Sequence, residues 1–466
     1  ACYRRTAADM SGYMAYEWTL LNFDKYWAVV MDDTPALQSF TDTIVDLDGI
    51  AKKIDKSWYV STLKEFTLTT PAQIFGFAEL SRTVDFKGVT IKLGEDIVCN
   101  EGKASDWAKE APINIWKPIG YNAEFGGKTF LGTFDGQGHT ISGLYGISTK
   151  SMVSFFGETG TGSVVKNLKI TNSYFEAQIE KSSSWGMVGG VVAKSWGTVD
   201  TVYSNAILVN SGTVTGGIVG MMRITGKDGG ECIVRNCWYD GKITANGSTG
   251  GIVGDIYGCP TTVEHCLNTG SISTIKASGN IGGLVGIVGI QDAKLILSDS
   301  VSVGKISDAS KKSWNVGSAI GRVVKTEKVT NIVANIKNVY VSKEASGNAI
   351  GNKTGNFTGM DVVRLAEKDL IGANGYFNTA LSFYANGKGY WVAQADKTPV
   401  LKSFAKGKTL AVGGLRADIS WYSKDKDVYT IKNAGQLYGL RLLSESLDFK
   451  GKTIKLANDI VINEGN

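Results

Sequence analysis

Gly216-Gly-Ile-Val-Gly220 returns as Gly250-Gly-Ile-Val-Gly254 and again as Gly282-Gly-Leu-Val-Gly286. Weaker copies are Gly189-Gly-Val-Val-Ala193, Gly317-Ser-Ala-Ile-Gly321 and Gly347-Asn-Ala-Ile-Gly351, and Ser154-Phe-Phe-Gly157 fills the same slot upstream. From Gly220 onward the closing glycines stand 34, 32, 35 and 30 residues apart. Each box is followed by short alternating segments bounded by Gly and Asn, such as Cys232-Ile-Val-Arg-Asn-Cys-Trp-Tyr-Asp-Gly-Lys-Ile-Thr244. That is the pattern of strands and turns. A unit of this size cannot bury its own apolar face, whereas stacked coils, each strand pairing in parallel with its equivalent, can. The reading is all-β: a right-handed parallel β-helix, its hand expected from the chirality of parallel crossovers, with short capping helices at its ends. Gly157, Gly220, Gly254, Gly286, Gly321 and Gly351 are its structural repeat glycines.

Composition agrees with many short strands and narrows the function classes. Fifty-eight glycines against six prolines fit tight turns rather than collagen or a linker. Basic and acidic residues number 49 and 44, with no basic stripe, so no nucleic-acid partner is expected. Six irregularly spaced cysteines and two histidines lack metal-ligand spacing, so neither a metal nor a cofactor is expected. No apolar run is long enough to span a bilayer, and no membrane insertion is expected in this segment. Cys237 and Cys266 share a repeat position and read as stacked, buried free thiols. A disulfide between those coils is the alternative, and Cys232 with Cys259 is a second conceivable pair.

A longer repeat overlies the short one. Val84-Asp-Phe-Lys-Gly-Val-Thr-Ile-Lys-Leu93 recurs as Leu447-Asp-Phe-Lys-Gly-Lys-Thr-Ile-Lys-Leu456, an offset of 363 residues. Trp27 with Thr34-Pro-Ala-Leu37 recurs as Trp391 with Thr398-Pro-Val-Leu401, an offset of 364. The expected organisation is the end of one repeat domain at 1–40, a linker at 41–57, and a complete domain at 58–404. A second linker at 405–420 then leads to the start of a further domain at 421–466. The chain therefore reads as part of a tandem array. Thr70-Pro71 is a helix start, and a helix to about Thr83 would present Ile74, Phe77 and Leu80 as an N-terminal plug, copied at 434–446. Met360–Ile371 reads as the helix that caps the other end.

These residues resemble a known family. The Gly-Gly-apolar-Val-Gly box is similar to the GLUG motif. Trp116-Lys-Pro-Ile-Gly120 followed by Gly132-Thr-Phe-Asp-Gly-Gln-Gly-His-Thr-Ile-Ser-Gly-Leu144 resembles the segment that often precedes GLUG coils. Thr6-Ala-Ala-Asp-Met10, Trp27 and Pro35-Ala-Leu37 are similar to the ending that follows them. The resemblance implies large, multidomain, adhesin-like surface proteins of bacteria. GLUG repeats that accompany peptidases are not their catalytic part.

Candidate chemistry is sparse. A polysaccharide-active β-helix needs paired carboxylates, or acidic calcium ligands beside a basic residue. Asp200, Asp240, Glu264 and Asp299 read instead as scattered surface acids, and Asp135-Gly-Gln-Gly-His139 as a turn with Asp bonding its own backbone. His265 reads as a coil residue that pairs or packs with its neighbours. The aromatic residues Trp185, Trp196, Trp238, Tyr239 and Trp314 are the candidate ligand-binding positions, suited to stacking on sugar rings or a protein partner. Filling a coil corner is their alternative role. Trp27, Trp58, Trp391 and Trp421 recur between blocks and read as structural. The expected function is a non-catalytic, extracellular, cell-surface repeat protein that contacts a surface glycan or protein ligand. The alternatives are a stalk or filament of neighbouring repeats or like subunits stacked end to end, and a polysaccharide-active enzyme.

Overall fold

The computed structural model describes residues 27–28, 34–37 and 54–462, the last range excepting 122–125, 180–185, 224–229, 231, 275–278, 291–292, 309–314, 325–333, 346–347, 355–359, 385–387, 395–396, 406–417, 420, 424 and 445–446. Most of the proposed linkers, and Trp185 and Trp314, lie outside the described residues.

Between residues 119 and 365 the chain cycles through four parallel sheets, the arrangement of a parallel β-helix. One coil runs Met187–Gly189, Val192–Ser195, Thr198–Ser204 and Ile207–Asn210 before Val214–Gly216 begins the next. We call the four the corner, box, long and return sheets. Every strand pairs with its equivalent one coil away: Val192 with Val219, Val219 with Val253, Val253 with Val285.

The glycine box is the turn from the corner sheet into the box sheet. Gly250 ends a corner strand and Val253 starts a box strand, so the chain reverses across three residues. A Cβ on Gly250 would stand 2.0 Å from the Val253 carbonyl oxygen, and one on Gly217 would stand 2.4 Å from Tyr239 Cγ. The first glycine thus permits the fold-back, and the second admits a side chain from the long sheet to the interior. The residue before each closing glycine points inward: Val219, Val253, Val285 and Ile320 are all buried in one continuous core.

The N-terminal end is plugged as the sequence suggests. The helix runs Pro71–Leu80, with Thr70 Oγ1 accepting from the Gln73 N–H at 3.3 Å, and Ile74 and Phe77 are fully buried. It lies between two strands, Glu65–Leu68 and Thr90–Leu93, that pair in parallel, and the second pairs onward with Thr133–Asp135. The other end differs from expectation. Met360–Leu365 is a strand that pairs in parallel with Ala334–Ser342, and short helices follow at Glu367–Leu370 and Ala373–Phe377. Alternating Val363 and Leu365 are strand formers, and the open edge of the last coil offers a hydrogen-bonding ladder that outweighs the helical spacing.

The long repeat is visible as repeated local structure. Trp27–Ala28 pairs antiparallel with Ala36–Leu37, and Trp391–Val392 pairs with Val400–Leu401 in the same register. Likewise, Val428–Ile431, a helix at Ala434–Ser444 and Thr453–Leu456 repeat the N-terminal strand–helix–strand unit.

The five described cysteines are buried, and Cys99, Cys237 and Cys266 are free thiols. Cys237 Sγ donates to Arg235 O at 3.1 Å and Cys266 Sγ to Glu264 O at 3.3 Å, and burial raises the Cys237 pKa well above its ordinary value. Because the box permits no side chain at its first glycine, Gly250→Ala should lower unfolding stability by about 1–3 kcal/mol, the scale of forced overpacking. Urea denaturation against the parent chain measures this, and an unchanged midpoint would show that the turn relaxes.

Candidate functional site

The outer face of the long sheet gathers most of the polar chemistry. In register across successive strands stand Lys92, Asp135, Lys166, Asp200, Arg235 and Glu264. Their charges alternate, one strand spacing of about 4.8 Å per step. Lys166 Nζ lies 3.3 Å from Asp135, and Arg235 Nε lies 2.9 Å from Asp200. The acids at 135, 200 and 264 are therefore rungs of a ladder, not scattered. Partial burial opposes ionisation of Asp135, but Asn167, the Gln137 N–H and Lys166 together hold its carboxyl below the usual range. Its bond to the Gln137 N–H, at 3.0 Å, is the turn expected at Asp135–His139.

Beside the ladder runs a row of left-handed residues that bends each long strand once: Asn167, Thr201, Asn236, His265, Asp299 and Asn338, all with φ between 46° and 56°. Asn tolerates this conformation by bonding locally, and here Asn167 and Asn236 donate to Asp135 and Asp200 on the preceding strand. Thr201 is β-branched and has no such tolerance, so its backbone stores strain of about 1–3 kcal/mol.

Past the row, the same face becomes apolar and is covered. Tyr203, Trp238, Leu267, Val301 and Tyr340 form a column in register. Against it packs the segment Leu381–Phe404, with Leu381, Trp391, Leu401 and Phe404 buried. Asp299 fixes its position. The carboxylate accepts from the Ser382 N–H at 3.0 Å, the Ser382 hydroxyl and Trp391 Nε1, and His265 Nε2 lies 3.4 Å away. His265 is also stacked on Tyr390 at 3.7 Å between ring centroids. Burial lowers the His265 pKa, outweighing the opposing pull of Asp299 and Glu264. The Ser382 proton goes to the carboxylate, and the imidazole meets that same carboxylate rather than the hydroxyl. The cluster acts as a clamp that ties Ser382 and Trp391 to the coil through Asp299. Asp299, expected at the surface, is buried beneath this segment.

At Phe404 the covering segment borders a cavity of about 560 Å³. Its floor is Lys92, Asp135, Asn167, Lys169 and Thr201, and Phe404 forms its end. The aromatic candidates lie elsewhere. Trp196 packs partly buried against the main core, with Lys194 Nζ 4.8 Å from its ring centroid. Trp238 is half-buried beneath the covering segment, near Tyr203 and Phe404, and its Nε1 donates to Thr269 Oγ1 at 2.7 Å. Tyr239 is corrected: it points inward, fully buried, donating to Ala206 O at 3.0 Å, and no ligand reaches it. Alternation along the strand sends Trp238 outward and Tyr239 inward. The ladder was detectable by aligning coils, since its members recur every coil with opposite sign. The cavity was not, because it forms between strands of the coil and Phe404, which is distant in sequence.

A second column lies on the box sheet, where Glu158, Lys194, Met221 and Asp255 stand in register. Glu158 pairs with Lys194 at 2.8 Å and accepts from Thr129 Oγ1 at 2.7 Å. Burial raises the Asp255 pKa to about 7, against the lowering influence of Arg223. Its folded value thus exceeds the ordinary 3.8, so its stabilising contribution is complete below that value and is lost as pH rises through about 7. The stability of the parent chain relative to Asp255→Asn should therefore fall between about pH 4 and pH 7, as read from urea midpoints; a constant difference would contradict the shift. Asp299→Ala should cost about 1–3 kcal/mol by orphaning buried donors. It should also redshift tryptophan emission and admit protease within 381–404, whereas unchanged emission and cleavage would show that apolar packing alone seats the segment.

No family model and no curated protein matches the chain. Among solved structures, a crystal structure of a candidate immunoglobulin A1 protease from Bacteroides ovatus is similar in fold. The TM-score is 0.51 at 18% sequence identity, covering 74% of this chain and 94% of that one. A likeness at that identity speaks for the fold alone.

Proposed function

We propose that the chain is a non-catalytic, extracellular, tandem-repeat surface protein of adhesin-like character, built from right-handed GLUG-type coils. In this reading residues 58–404 form one complete repeat unit, 1–40 belong to the unit before and 421–466 to the unit after. One observation carries it. Local folds at the two ends repeat parts of the complete unit in the same register, yet some apolar positions that the complete unit buries are exposed in them. Leu456 is 62% exposed where its equivalent Leu93 is fully buried, and Leu37 is 41% exposed where Leu401 is buried. Exposed positions of this kind are accounted for when each fragment sits against coils of its own unit, as its copy does here.

End-to-end stacking is the second reading, favoured by the strand Met360–Leu365, which pairs on one side only among the described residues. An edge of that kind is a template for a further strand. A rigid rod that presents a lateral face at repeated intervals suits multivalent contact, where linked weak sites reach high avidity.

The intact polypeptide from producing cells, run on a denaturing gel, should exceed the chain by steps of one 363-residue block. It should also be cleaved by protease added to intact cells. A polypeptide no longer than this chain, or one protected until the cells are lysed, would overturn the reading.

A further inference from the structure

We propose that the cavity beside Phe404 binds an acidic oligosaccharide, one carrying carboxylates on linked pyranose rings. This rests on the surface-binding reading above and names the ligand class of one face. Three features support it.

The first is shape and lining. The cavity holds about 560 Å³, within the range of small-ligand sites, and it is polar on its floor with the Phe404 ring at one end. Ammonium, amide and hydroxyl groups from Lys92, Gln137, Asn167, Lys169 and Thr201 line it, together with the Asp135 carboxylate, which Lys166 neutralises. Mixed donors and acceptors beside one aromatic ring are what a hydroxylated ring requires.

The second is charge. Lys166 is matched to Asp135 at 3.3 Å and Lys92 to Glu65 at 2.6 Å. Lys169 is different. Its Nζ donates to the Gly138 carbonyl at 2.7 Å, and among the described residues no carboxylate pairs with it. An ammonium held at the floor by a neutral carbonyl retains a full charge for an anionic ligand, and two of its three donors stay open.

The third is spacing. Lys92, Asp135, Asn167 and Thr201 come from successive strands of the long sheet. The strand spacing of about 4.8 Å then sets these groups at intervals comparable to the advance of linked pyranose rings.

The test uses the full chain and oligogalacturonides of defined length, with neutral cello-oligosaccharides as the comparison, followed by titration calorimetry. The parent chain should bind the acidic series, more weakly as salt is raised, and bind the neutral series at least about tenfold less well. Lys169→Ala should weaken acidic binding about tenfold or more, Lys169→Arg should retain most of it, and Gln137→Ala should weaken both series. Lys169 is half-exposed and its ammonium makes one hydrogen bond, to the Gly138 carbonyl, so the thermal midpoint of Lys169→Ala should stay close to that of the parent. No binding of either series, equal binding of both, or parent-like binding by both Lys169→Ala and Gln137→Ala would each overturn the proposal. None of these outcomes bears on the length or surface exposure of the intact polypeptide, so the broader reading stands or falls separately.

Discussion

Close backbone contact at the glycine box is the constraint on which the rest of the molecule depends. Where Gly216, Gly250 and Gly282 end a corner strand, the chain folds back so tightly that a Cβ would meet a carbonyl oxygen within 2.0 Å. That fold-back starts every box strand at the same angular position around the coil. In-register pairing then follows, and with it the single core that runs through successive coils. Hydrophobic burial supplies most of the stability, but the glycines decide that the burial is shared between coils.

Once the pitch is set, every outward position becomes a column. The meaning of a side chain then depends on residues about thirty positions away, and hardly on its sequence neighbours. Asp135, Lys166, Asp200 and Arg235 neutralise one another along such a column, which lets a charged row stand on a sheet face with little net charge. Exposed pairs of this type contribute little each, so the ladder acts mainly on register and surface potential. The neighbouring apolar column is treated differently: the chain returns after residue 380 and covers it. Trp391 and Leu401 supply the apolar area, on the order of 2–3 kcal/mol for each side chain buried, while Asp299 chooses where the segment sits. Phe404 of that segment forms one side of the cavity.

Legibility followed the same division. The short repeat, the parallel sheets and the N-terminal helix could be read from residues because each rests on a local rule: a fold-back that tolerates no side chain, an alternating strand, an N-cap followed by Pro71. The strand at Met360–Leu365 was misread as a helix because its apolar spacing satisfies both periods, and the deciding factor is the sheet edge beside it. Tyr239 was misread as a binding residue because its neighbour Trp238 does face outward, and one residue of register reverses the face. Asp299 looked like a surface acid in a Ser-Asp-Ser turn until the returning segment covered it.

By itself, the sequence determined the coil: where it turns, which residues lie inside, and that its blocks recur at 363 and 364 residues. These features depend on backbone sterics and on side-chain periodicity, both of which are written locally. Only the tertiary structure decided which outward columns are open and which are covered. That choice belongs to contacts between segments 83 to 92 residues apart, as between Asp299 and Ser382 or Trp391, and no local pattern encodes it. The cavity, Lys169 on its floor and the clamp at Asp299 are consequences of stacking and cover, because long-range contact alone sets the dielectric and the partners of each polar group.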